Sequence, residues 1–199
     1  LQKSQTVVVA DQKGRKQLSV FEVYRPGDTY EFAVKDGLTG IVRGTGKIVS
    51  ILAGDDVIEG ISSNPAVVAG AVLTRGGFIS RDGGGTYDPP VNIYPNGELK
   101  IGGKATTRTI RTANNGSKGW MEYESRVVGY EEIDTVFGKL NAIKLDVTQI
   151  YQDGGRAKMT LWFDPEWGYS VRLVRESRNR NGGPDIYVRE MIARSRKVS

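Results

Sequence analysis

Two short stretches decide what this chain can become. In Ile143-Lys144-Leu145-Asp146-Val147-Thr148 apolar and polar residues alternate, and Lys158-Met159-Thr160-Leu161-Trp162-Phe163 repeats the pattern until Trp162 breaks it. Successive side chains of a strand point to opposite faces, so a period of two describes a strand with one buried face and one wet face. Between the two, Gln152-Asp153-Gly154-Gly155 supplies the positive φ that a tight antiparallel connection needs, which predicts a hairpin. Asp164-Pro165-Glu166-Trp167-Gly168 must then interrupt the ladder, because proline has no N–H to donate and glycine permits a sharp bend. Val171 to Arg175 resumes the sheet, while Met121 to Ile133 has strand composition and Asp134 to Lys139 that of a turn leading into Leu140. Four consecutive antiparallel strands form a meander, and the chain is organised around it, from Trp120 to Ser177.

The remainder reads in the same period, less cleanly. Thr6–Val9 and Leu18–Tyr24 predict an opening hairpin, and Arg25-Pro26-Gly27-Asp28 is a turn that launches a strand from Thr29 to Val34. Gly40 to Leu52, with Gly44 and Gly46 inside it, predicts a curved strand with a bulge or a close backbone approach. Asp55 to Ile61 fits a strand or a single helical turn. Asn64 to Leu73 is the one helix candidate, with Asn64 as cap and Pro65 in the first position, yet its valines favour a strand and both readings stay open. Arg75 to Pro90, full of glycine and proline, predicts a long loop, and its Asp82–Asp88 run lacks the alternating ligands of a calcium loop. Val91 to Ile101 predicts a hairpin about Asn96-Gly97, Ala105 to Ile110 another extended segment, and Ile186 to Ile192 the last strand. The sum is a single all-β domain over residues 1–199: a mainly antiparallel barrel or half-barrel, a curved sheet with at most one or two short helices. The 26 glycines in 199 residues, roughly double the usual share of about 7%, fit a chain of many turns.

Composition narrows the chemistry. The chain has no Cys and no His, which removes disulfides, thiol nucleophiles, His-dependent triads and His- or Cys-ligated metals. The expectation is no catalysis, no cofactor and no metal. The net charge of +5 resides entirely in residues 172–199, where Arg172, Arg175, Arg178, Arg180, Arg189 and Arg194, with Arg196 and Lys197, outnumber Glu176, Asp185 and Glu190. Those arginines predict either a charge-guarded edge strand or a surface that contacts an anionic partner. No stretch approaches the roughly 18–20 apolar residues of a membrane-spanning helix. The polar start Leu1-Gln2-Lys3-Ser4-Gln5, without an initiator Met, fits a chain whose leader has been removed, hence a periplasmic or secreted protein.

Several short motifs carry a resemblance. Val127-Val128-Gly129-Tyr130-Glu131-Glu132-Ile133, then Val136-Phe137-Gly138-Lys139-Leu140, then Trp162-Phe163-Asp164-Pro165-Glu166-Trp167-Gly168 follow in an order that resembles a family of secreted bacterial β-proteins of unknown function. Pro26-Gly27-Asp28-Thr29-Tyr30 and Ile101-Gly102-Gly103-Lys104 look like its opening and midway turns. In general style the family is similar to the curved sheets of the lipoprotein-carrier (LolA/LolB-like) group. The resemblance implies fold and envelope location and brings no catalytic residue with it.

Three function classes follow. A binding module would use the aromatics that fall out of step with the core pattern, Trp120, Trp162, Trp167 and Tyr169, to receive a lipid, lipoprotein or glycan, with the basic C-terminal segment near its mouth and peripheral membrane contact possible. An envelope scaffold would contact another protein through an exposed strand edge, for which the last strand is the candidate. A glycan hydrolase would need paired carboxylates, and Asp55, Asp56, Glu122, Glu124, Glu131 and Glu132 make poor pairs by strand geometry or by their basic neighbours. No aromatic strand signature of an RNA-binding sheet is present, so no nucleic acid is expected. The preferred expectation is a non-catalytic envelope protein that binds an apolar or amphipathic partner.

Overall fold

A computed structural model describes residues 18–19, 25–54, 57–65, 67–68, 70–74, 77–95, 98–178 and 182–196. Its strands are β1 (Leu18–Ser19), β2 (Thr29–Asp36), β3 (Val42–Gly54), β4 (Val57–Ser62), β5 (Ala71–Thr74), β6 (Phe78–Asp82) and β7 (Gly85–Asn92), then β8 (Glu98–Leu99), β9 (Lys104–Ala113), β10 (Lys118–Thr135), β11 (Gly138–Tyr151), β12 (Arg156–Phe163), β13 (Ser170–Arg178) and β14 (Pro184–Ser195). Twelve of them close into an antiparallel barrel in the order β10-β11-β12-β13-β14-β2-β3-β4-β5-β6-β7-β9, and β1 pairs with β8 apart from it. The predicted meander is there, β10 to β13 each hydrogen-bonded to the next. Its central turn forms as expected, with Gly154 at φ +81 and its N–H donating to Tyr151 O at 2.9 Å. Closure matters for the edge hypothesis. β14 lies between β13 and β2, so the last strand has no free edge for a scaffold partner, and the curved sheet has become a full barrel.

Other readings need correction. Of the two readings left open for Asn64 to Leu73, the described residues show a single turn, in which Val67 and Val68 donate to Asn64 O, before the chain enters β5. Gly44 and Gly46 are the reason the turn can sit where it does, since a Cβ on either would come within 2.9 Å of Val67 or Val68. Asp55 and Asp56 lie outside the described residues, and the segment after them is strand β4. The predicted loop from Arg75 to Pro90 is a hairpin, β6–β7, whose register jumps from Arg81↔Thr86 to Ile79↔Val91. Pro89 and Pro90 fall inside that bulge, where a residue without an N–H costs no ladder bond. Glu98–Leu99 pairs with Leu18–Ser19, so the hairpin expected across Val91–Ile101 does not form among the described residues. The rest of the predicted opening hairpin, Thr6–Val9 included, lies outside them.

The interior follows from the alternation. Met121, Tyr123 and Val127 of β10, Ile143, Leu145 and Val147 of β11, and Leu161 and Phe163 of β12 all point inward into one cluster. A second cluster, around Tyr30, Phe32, Val34 and Ile48, fills the β2–β3 side. Beyond Ile143 the β10–β11 hairpin outruns β12 and becomes an arm, bent by a bulge at Val128. The arm brings Ile133, Leu140 and Ala142 into the cluster that also holds Trp162 and Val171.

Candidate functional site

The lumen is not completely filled. A cavity of about 210 Å³ runs inside the barrel, with walls of Ile58, Leu73, Ile79, Val91, Met159 and Leu161. A space of this size admits a single chain or a ring. Tyr94 and Phe163 meet edge to face at 5.6 Å, and the pair lines the cavity toward the end where β12 turns into β13. The 93–103 connection is held at that end by Gly102 N–H to Val127 O and Val127 N–H to Gly103 O, both 2.9 Å.

Polar groups enter this apolar space at chosen points. Asp82 accepts from the Tyr87 hydroxyl at 2.9 Å and from Gly84 N–H at 2.8 Å. Burial, with the Asp82 carboxylate beside it, pushes the Tyr87 hydroxyl far up, and burial pushes Tyr123 up to about 12, so both phenols stay neutral donors. Arg175 shares the inward face of β13 with Leu173 and donates to Tyr151 Oη at 3.0 Å, while Tyr151 donates to Gln149 Oε1 at 3.0 Å. Arg189 of β14 also faces the lumen, donating to Ser170 Oγ at 2.6 Å.

A charged aromatic clasp sits at the end of the barrel where β12 turns into β13. Trp167, from the Asp164–Gly168 turn, has Arg194 4.5 Å and Arg196 4.2 Å from its ring centroid, and Arg194 lies 4.4 Å from Phe137 at the tip of the arm. Arg194 pairs with Asp164, whose side chain is 2% exposed, and Arg196 Nε approaches Asp28 Oδ2 at 3.4 Å. Cation–π contact and ion pairing together neutralise carboxylates that burial would otherwise penalise.

The four aromatics and six arginines singled out above therefore do not form one site. Tyr169 lines the cavity, stacking on Tyr30 at 4.5 Å, and Trp167 belongs to the clasp. Trp120 and Trp162 face outward: Arg108 lies 4.4 Å over Trp120, and Trp162 donates to Glu131 at 3.2 Å beside Lys144. Among the arginines, Arg175 and Arg189 are luminal, Arg194 is in the clasp, Arg178 is exposed on the outer wall, and Arg180 lies outside the described residues. Arg172 is on the outer wall, bonded to Glu190 Oε1 at 3.2 Å and Asp134 O at 2.9 Å. Strand alternation divides the basic segment between two faces. The proposed carboxylates also stand apart from the lumen. Glu122 faces Arg108 across the outer ladder, Glu131 is held below the usual carboxylate range by Lys144, and Glu132 pairs with Lys139. The sequence reading missed Asp82, Tyr87, Gln149 and Ser170, and the inward parity of Tyr87 with Gly85 was hidden inside what read as a loop.

No protein-family model matches the chain, and no curated protein matches it. Among solved structures, it is similar to a "putative lipoprotein" from Parabacteroides distasonis, with TM-score 0.49 and 10% identity over 87% of this chain and 98% of that one. It is also similar to the hypothetical lipoprotein YmcC from Escherichia coli, with TM-score 0.45 and 11% identity over 90% of each. A third, a "putative exported protein with YmcC-like fold" from Bacteroides fragilis, has TM-score 0.41 and 8% identity over 87% of this chain and 97% of that one.

Proposed function

We propose that this is a non-catalytic envelope protein whose barrel lumen binds one small apolar or amphipathic molecule. The observation that carries the reading is the cavity itself: an unfilled space of about 210 Å³ walled by aliphatic and aromatic side chains with a few polar groups converging on it. A concave, mostly apolar space with a few convergent polar groups is the usual form of a small-molecule site. The lack of His and Cys and the outward placement of Glu122 and Glu131 support binding without turnover. Envelope location is supported by the resemblance to secreted curved-sheet proteins and by the cysteine-free chain.

Titration with a neutral environment-sensitive probe, N-phenyl-1-naphthylamine, tests it. We expect saturable one-to-one binding, lost in Leu173→Trp, which fills the cavity from β13, with the thermal transition of the variant confirming that it is folded. Absence of saturable binding to the wild type, or undiminished binding to folded Leu173→Trp, overturns the luminal reading.

A further inference from the structure

The lumen holds a cation that the fold does not balance. The guanidinium of Arg189 lies 4.6 Å from the Phe32 ring centroid and 5.8 Å from that of Tyr169. Nη2 donates to Ser170, but Nε is buried without a hydrogen-bond partner. Among the described residues no carboxylate pairs with it. Glu190, its neighbour in sequence, turns to the outer wall, where Lys35 at 2.5 Å and Arg172 at 3.2 Å hold it. Asp82, the carboxylate that lines the cavity, is engaged by Tyr87 and Gly84. A charge buried without a counter-charge is costly, and a partner that supplied one would be favoured. The rings of Phe32 and Tyr169 attract the cation but bring no net negative charge.

We infer that the lumen takes a single-chain acid, its apolar chain against Leu73, Leu161 and Phe163 and its carboxylate on the fork of Arg189. The inference rests on the luminal binding proposed above and adds the class of ligand. The planar fork offers two parallel donors to the two oxygens of a carboxylate, and the idle Nε is one of the donors that such a pair would use. Charge decides between anions. Arg175, the other inward arginine, does not line the cavity and is engaged by Tyr151 and Ser177, so Arg189 is the cation at the cavity wall and balances one carboxylate, whereas a phosphate monoester carries close to two charges near neutral pH.

The test displaces N-phenyl-1-naphthylamine with decanoate, decanol and decyl phosphate. We expect decanoate to compete at least about tenfold better than decanol, and better than decyl phosphate. Arg189→Gln should bring decanoate and decanol to within about threefold of each other while the neutral probe binds as before, and Arg189→Lys should keep part of the preference, since a point charge replaces a fork. Decanol competing as well as decanoate against wild type overturns the acid and leaves the luminal reading standing. A preference for decyl phosphate overturns the carboxylate. No probe binding to wild type overturns both. If Arg189→Gln does not fold, the wild-type ratio with Arg189→Lys decides the matter: equal preference in the two proteins removes Arg189 from the recognition.

Discussion

The barrel has two unlike walls. One is built of β10 and β11, 18 and 14 residues long, continuing into β12 and β13 with strict alternation over most of their length. The other passes through β5 and β6, of 4 and 5 residues, with register breaks between Val72 and Leu73 and between Ile79 and Arg81. Both line the same cavity. The long wall therefore buries many more apolar side chains than β5 and β6, in which Leu73 is the buried hydrophobic, and the short wall is where local opening should cost least.

Core truncation gives the largest contrast. Leu145, fully buried at the middle of the long wall, should lose about 2–5 kcal/mol on Leu145→Ala. Ile79 is only partly buried where it lines the cavity, so Ile79→Ala should lose about half as much or less in the same urea titration. Equal losses would mean that the two walls are equally tied together.

A smaller effect separates neighbouring residues in the central turn of the long wall. Gly154 is at φ +81, a conformation that β-branched residues avoid, whereas Gly155 is not in that region. Gly154→Val should cost about 1 kcal/mol or more. Gly155→Val would bring a Cβ to 2.9 Å from Asp153 Oδ1, the movable end of an exposed side chain, and should cost less. Indistinguishable melting temperatures for the two variants would remove this turn as a fixed point of the long wall.

The smallest effect concerns the outer surface where the long wall meets β2. Burial raises the Glu190 carboxyl, but Lys35 and Arg172 outweigh it and hold the group below its ordinary value. A carboxylate depressed in the folded state contributes stability above its unfolded value, about 4.3, and that contribution fades as pH falls through the folded value. Glu190→Gln should thus lose at most about 1 kcal/mol at pH 7, because partly exposed ion pairs are screened. Its stability should converge on that of the wild type in acid. A gap that stays constant from pH 7 to pH 3 would show that the loss is packing rather than charge.

The two walls also differ in how readable they were. The meander was legible because Ile143–Thr148 and Lys158–Phe163 alternate and because Gly154 marks a turn in the ordinary way. The short wall was misread because its glycines mean something else. A Cβ on Gly70 would sit 1.9 Å from Gly60 O, so this glycine, read inside a helix-or-strand candidate, marks a close approach of the chain to β4 just before β5. Pro89 and Pro90 mark a bulge in a strand that continues. The lumen shared that fate: Tyr169 was singled out for breaking the pattern, and Arg189 for its charge, but the inward direction of Arg189 depends on a register that only pairing with Val34 and Leu173 fixes. Trp162 broke the alternation for a reason outside the barrel, the arm of β10–β11 that packs with it.

The clasp bears on the entropy of closing the chain. Most neighbouring strands of the barrel are joined by short turns, but the seam between β14 and β2 brings together Thr29 and Ser195, whose hydroxyls lie 2.7 Å apart at a separation of 166 residues. Each doubling of loop length costs about 0.6 kcal/mol, so four doublings beyond a ten-residue loop make this seam about 2.4 kcal/mol dearer to close than an ordinary hairpin. Asp28 with Arg196 spans that same seam, and the ring of Trp167 holds Arg196 and Arg194 together beside it. A cluster of charge and aromatic contact thus stands where the two ends of this long loop meet.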